Sequence, residues 1–132
     1  MKFIQTIPNK EKSKSIMLMV KNTLSMINSL NKNKFTSHIV KEYYNVIREM
    51  ISVILLLDGY KIYGDGAYLA LIDYLGDNYD IRQNELSLIK DLRNIRNKIN
   101  YDGFFVKIDY LKIRENYIKQ LISKLQRIIK NK

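Results

Sequence analysis

At 132 residues and 15.7 kDa, with 46% hydrophobic residues, the chain holds material for one folded core and not for two. It has no cysteine, which excludes disulfides and thiolate metal sites, and its single histidine, His38, leaves a zinc site without ligands. The formal charge of +10 and the pI near 9.7 point toward polyanions: RNA, DNA or an acidic membrane surface.

Five glycines and one proline are too few for a many-turned β architecture, and the long periodic segments predict an all-α fold. Residues 1–8 read as an irregular or weakly extended lead. Asn9 or Ser13 caps a first helix running to about Leu30, with Ile16, Val20, Leu24, Ile27 and Leu30 on one stripe. Asn31 to Thr36 is a polar connector. Ser37 is the candidate cap of a second helix, from about His38 to Leu57, whose broad apolar face places it centrally. Its most apolar run, Ile51 to Leu57, includes Ser52 and is too short to span a bilayer, and Pro8, Glu11 and the early lysines interrupt any signal-peptide pattern. A soluble, cytoplasmic protein with no membrane partner and no cofactor is expected.

Asp58-Gly59 stops the second helix, and Tyr63-Gly64-Asp65-Gly66 is a further turn, which leaves Tyr60, Lys61 and Tyr63 in a loop. Asp65 caps a shorter third helix through Ala67 to Leu75, ended by Gly76, and Asp77 to Gln83 is a polar link. A fourth helix opens near Asn84 and carries Leu86, Ile89, Leu92, Ile95 and Ile99 until Gly103 ends it. Phe104 to Ile108 reads as an extended linker packed on the bundle. Asp109 caps a final helix with Ile113, Tyr117, Leu121, Leu125 and Ile128 on its stripe.

The fourth helix holds the stretch with chemistry in it, Leu92-Arg93-Asn94-Ile95-Arg96-Asn97-Lys98-Ile99-Asn100-Tyr101-Asp102-Gly103. Arginine offers a planar fork of donors that matches phosphate oxygens, and asparagine and tyrosine hydrogen-bond base or sugar edges. Arg93, Asn97, Lys98 and Asn100 are therefore candidate phosphate or RNA contacts. The plain alternative is a solvated helix face.

This stretch, together with Tyr44-Asn45-Val46-Ile47-Arg48-Glu49-Met50 and Leu55-Leu56-Leu57-Asp58-Gly59-Tyr60-Lys61 upstream, resembles the HEPN superfamily (higher eukaryotes and prokaryotes nucleotide-binding) in its small archaeal-type form. The similarity covers about residues 35 to 130. It implies an up-and-down bundle of four or five helices, paired as a homodimer whose motif helices line a shared cleft. Many members are metal-independent ribonucleases, often toxins of toxin–antitoxin pairs. Others bind nucleotide or a partner nucleotidyltransferase without cutting.

Active members carry an arginine, four to six intervening residues, then a histidine. Carried across, the arginine falls on Arg96, and Tyr101 occupies the histidine position. Metal-free RNA cleavage needs a proton shuttle with a pKa near the operating pH, whereas an ordinary phenol titrates near 10. The resemblance thus leaves weak cleavage by Arg96 and Tyr101, or RNA binding alone, with Glu49 of the second helix as a supporting partner of Arg96. A non-catalytic module for a nucleotidyltransferase, an antitoxin or another protein is the reading of a different class. A helix-turn-helix DNA binder fits poorly, because the turn from Asp58 to Gly66 is too long and glycine-rich.

Overall fold

The computed structural model describes residues 2–132; Met1 of the expected lead lies outside them. The chain is an all-α bundle, 75% helical, with five helices and one two-stranded ribbon. The order is β1 (Lys2–Gln5), α1 (Lys10–Ser29), α2 (Thr36–Leu57), β2 (Tyr60–Tyr63), α3 (Ala67–Asn78), α4 (Gln83–Asp102) and α5 (Ile108–Lys130).

The centre is α2, as its apolar breadth predicts. From Ile39 to Leu55 it buries residues on nearly every side, because α1, α4 and α5 all pack on it. Each fully buried Ile, Leu or Val contributes about 1.5–3 kcal/mol of transfer free energy. Lys10, Ser13 and Lys14 of α1 lie beside Leu57, so α1 runs antiparallel to α2. Tyr43, early in α2, donates to Glu115, early in α5, while Leu57 lies beside Ile129, so these two helices run parallel. The pairs Glu85–Lys124 and Asp91–Tyr110 set α4 antiparallel to α5. The long helices thus alternate up and down, with α3 as a short insertion. No helix among the described residues is long and apolar enough to cross a membrane.

Several helix ends follow their local signals. Asn9 caps α1, its Oδ1 accepting the Lys12 N–H at 3.0 Å, while Ser13 lies inside the helix and donates to the Asn9 carbonyl at 2.8 Å. Gly103, at φ 62°, ends α4 in the left-handed conformation that glycine adopts without strain.

Other ends differ from expectation. Ser37 does not cap α2, which begins at Thr36; its buried Oγ instead accepts the Val106 N–H at 2.7 Å and pins the 103–107 linker onto the bundle. Gly66, not Asp65, occupies the cap position of α3, and Lys107, not Asp109, that of α5; neither makes a side-chain capping bond. Nor does Gly76 end α3. It sits where a Cβ would come within 3.0 Å of a Leu86 methyl, so its role is close approach of α3 to α4. The expected loop at Tyr60–Tyr63 is a strand: its β-favouring residues pair antiparallel with Lys2–Gln5, in the register Gln5 opposite Tyr60.

Candidate anion site

Helical geometry explains where the motif side chains fall. At about 100° per residue, Arg93, Asn97 and Asn100 share one arc, while Arg96 turns back by about 60° toward the buried Leu92 and Ile89. Both arginines therefore lie half-buried along the edge of the core-facing stripe. The Arg96 Cζ rests 4.9 Å from the ring centroid of Tyr44 on α2, and the Arg93 Cζ 4.0 Å from that of Tyr68 on α3. Such cation–π contacts are worth about 0.5–2 kcal/mol, more when water is excluded.

The site is distinguished by what these groups lack. Four buried side-chain polar atoms among the described residues have no hydrogen-bond partner, and three of them belong to this cluster: Arg96 Nε, Tyr44 Oη and Tyr68 Oη. A buried donor left unsatisfied costs about 1–3 kcal/mol, and more when charged. Neither Arg93 nor Arg96 forms an ion pair with an acid among the described residues. Asp91, the nearest acid in sequence, accepts from Tyr110 at 2.6 Å and lies 3.8 Å from Arg114 Nε.

Elsewhere the same residue types form closed sets. Asp58 accepts from Tyr74 at 2.6 Å, Tyr79 at 2.5 Å and Lys132, which ties the end of α2 to α3 and to the segment after α5. Glu115 accepts from Lys32 at 2.7 Å and Tyr43 at 2.8 Å.

Burial first, and the neighbouring Tyr44 next, push the Tyr68 hydroxyl up to about 12, with Arg93 and Arg96 pulling the other way. Tyr68 is therefore a neutral donor at physiological pH. Guanidinium groups are always charged and only donate. The cluster holds four donor groups and no carboxylate; the two tyrosine hydroxyls and Arg96 Nε are buried, so the half-buried guanidinium groups are the donors that can meet phosphate oxygens, and none of the four is suited to moving protons. His38 is exposed in the first turn of α2, with its ring edge-on to Phe35 at 5.9 Å.

Two expected site residues fall elsewhere. Glu49 does not support Arg96: it lines a groove with Thr23 of α1 and with Glu42, Asn45 and Arg48 of its own helix. Five positions separate it from Tyr44, about 140° around α2. Burial and then Glu42 raise its pKa there, against the lowering by Arg48. Tyr101 likewise stands about 140° from Arg96 around α4 and is 82% exposed, so one chain does not assemble an Arg96–Tyr101 catalytic pair.

Of the remaining candidates, Asn97 is half-buried beside the arginines. Asn100 and Lys98 are exposed, and Lys98 Nζ sits 5.8 Å from the Phe104 ring centroid. Sequence reasoning missed Tyr44 and Tyr68 as site members. The available signal was Tyr44 itself, a tyrosine within a buried helix whose hydroxyl needs a partner. No family model matches the chain, and neither does any curated protein or any solved structure.

Proposed function

We propose that the chain is an RNA- or nucleotide-directed domain of the HEPN type that binds phosphate at Arg93 and Arg96 without efficient cleavage. The observation that carries this reading is the pair of half-buried arginines, each resting on a tyrosine ring and neither paired with an acid among the described residues; Arg96 Nε, Tyr44 Oη and Tyr68 Oη lie beneath that surface. The formal charge of +10 favours the same polyanionic ligands. Asn97, Asn100 and Tyr101 continue along the exposed arc of α4, where they meet the base or sugar attached to the bound phosphate. Loss of a proton shuttle typically costs about 100- to 10,000-fold in rate, so binding outlasts catalysis in such a site.

The test is retention of a fluorescent single-stranded RNA by the purified protein across a salt series. Each phosphate neutralised contributes about 0.7 to the logarithmic salt slope on a single strand, so Arg93→Gln/Arg96→Gln is expected to lower the slope by roughly 1.4. The same RNA is incubated in EDTA beside Arg96→Ala. Cutting that survives EDTA and disappears in the variant would replace the binding-only reading with a metal-independent ribonuclease. Absence of both cutting and retention would favour the second reading, a partner-binding module, for which the exposed apolar Ile113 and Tyr117 on α5 speak.

A further inference from the structure

Both α4 and α5 pack on α2 but diverge from each other, leaving an open groove of about 1070 Å³ between Arg82–Asp91 and Ile113–Arg127. Two sets of bonds tie its walls together, Glu85–Lys124 at 2.9 Å and Asp91 with Tyr110 and Arg114. Between them Leu88, Ile113 and Tyr117 give the groove an apolar floor, with Ile113 64% and Tyr117 60% exposed. Its acids, Glu85 and Asp91, are held by these bonds, whereas Arg127 is in no ion pair among the described residues and Lys119 interacts with Glu115 only at longer range. A groove of this kind suits an amphipathic helix with an acidic face.

The chain itself displays the acidic face of such a helix on α3, whose own apolar residues Leu71, Ile72 and Leu75 are buried in the core and leave Leu69 as its exposed large apolar side chain. Residues 64–81 contain four aspartates and no lysine or arginine, in a protein with 23 lysines and arginines against 13 acids. On α3, Leu69, Asp73 and Asp77 follow one another at helical spacing, all exposed, and neither aspartate is in an ion pair among the described residues. The 12 residues of α3 span about 18 Å, and the groove from Ile113 to Arg127 runs about 21 Å along α5.

We propose that α3 of one copy docks in the α4–α5 groove of a second copy, with Leu69 on Ile113 and Tyr117 and with Asp73 and Asp77 facing Lys119 and Arg127. Groove-to-groove pairing is disfavoured, because it sets the same cations against one another. The contact joins two different patches, so assembly proceeds head to tail and closes as a ring or grows as a chain. This inference is independent of the phosphate reading.

Sedimentation velocity at low and high salt tests it, using Asp73→Lys and Arg127→Glu, two exposed positions without ion-pair partners, checked for unchanged circular dichroism. Wild type is expected to associate with rising concentration and to dissociate in salt. Each single variant sets like charges together and is expected to associate at least about tenfold more weakly, and an equimolar mixture of the two regains pairing, because the intact α3 of Arg127→Glu meets the intact groove of Asp73→Lys, with growth beyond the pair resting on the swapped charges. A wild type monomeric at all concentrations, variants that associate like wild type, or a mixture without rescue would each overturn the proposal. Binding of a synthetic Asp/Glu-rich amphipathic peptide by a monomeric wild type, lost in Arg127→Glu, would overturn it in favour of a different protein partner. RNA retention by a monomeric wild type, lost in the same variant, would overturn it in favour of nucleic acid.

Discussion

Tyr44→Phe is expected to make the protein more stable, whereas Tyr43→Phe, one residue away, is expected to destabilise it. Both tyrosines are buried in α2, with Tyr44 at 0% and Tyr43 at 1% exposure, so the two variants remove the same atom from equally dry surroundings. The Tyr43 hydroxyl donates to Glu115 at 2.8 Å; its loss costs about 1.5–3 kcal/mol, the range for a hydrogen bond to a charged group. The Tyr44 hydroxyl has no partner, so its removal relieves about 1–3 kcal/mol of desolvation, less a small term for the space it leaves. The ring that Arg96 rests on is retained. For 132 residues at about 2.1 cal/mol/K each, 1 kcal/mol corresponds to about 3–4 °C in Tm. Calorimetry is therefore expected to show Tyr44→Phe melting roughly 3–7 °C above wild type and Tyr43→Phe at least about 5 °C below it. Equal destabilisation by both variants would refute the reasoning, because it would mean that the Tyr44 hydroxyl is satisfied in the folded protein. RNA retention is expected to be unchanged in Tyr44→Phe, because the hydroxyl lies out of a ligand's reach and the ring under Arg96 remains.

Three further outcomes follow from other contacts. Ser37→Ala leaves the Val106 N–H buried without an acceptor and is expected to lower stability by about 1–3 kcal/mol in urea unfolding, with the 103–107 linker gaining hydrogen exchange first. Burial pushes Asp58 up, but its hydrogen bonds from Lys132, Tyr74 and Tyr79 outweigh this and hold the folded-state pKa below the unfolded value of about 3.9. Its stabilisation is therefore complete above that value and is lost as pH falls through the folded pKa; Asp58→Asn is expected to cost about 1–3 kcal/mol at neutral pH and to flatten the acid limb of the stability curve. Tyr101→Ala removes an exposed ring, so its stability is expected to change by less than about 0.5 kcal/mol, while RNA affinity falls by about 1–3 kcal/mol in anisotropy titrations if the ring stacks on a base.

Local signals were sufficient for the helices and insufficient for whatever connects them. The stripes of α1, α2, α4 and α5 fix the bundle because a 3.6-residue period has one apolar solution, and Asn9 and Gly103 mark ends whose bonds are made within a few residues. The β1–β2 ribbon was hidden because the residues that pair lie at opposite ends of two intervening helices, so that neither the weakly extended lead nor the β-favouring Tyr60–Tyr63 has a partner nearby in sequence. Ser37 looked like a cap since serine before a periodic segment usually is one; its acceptor went instead to a linker N–H far along the chain. Gly76 reads as a stop only until Leu86 is seen against it. At the site, the arginine stripe was legible from spacing, but the rings beneath it come from two other helices. Glu49 was assigned to Arg96 by its depth along α2, a criterion that ignores the rotation carrying it to the α1 side.

The distribution of acids ties the fold to its proposed use. With 13 acids against 23 lysines and arginines, not every cation can be paired, and the structure shows which ones are. Asp58, Asp91 and Glu115 each bridge helices, and each accepts from a tyrosine hydroxyl and lies in an ion pair with a neighbouring cation: Lys132 at Asp58, Arg114 at Asp91 and Lys32 at Glu115. Those three junctions are closed, and a carboxylate in each offsets the desolvation of its tyrosine. The junction of α2, α3 and α4 has the tyrosines and the cations in the same arrangement but no acid. Supplying one, as Asn97→Asp would beside Arg93 and Arg96, is expected to raise Tm and to abolish phosphate retention together, because the introduced carboxylate occupies the donors that the ligand needs. A purely structural cluster would gain stability with no loss of binding, and that result would remove the site from α4.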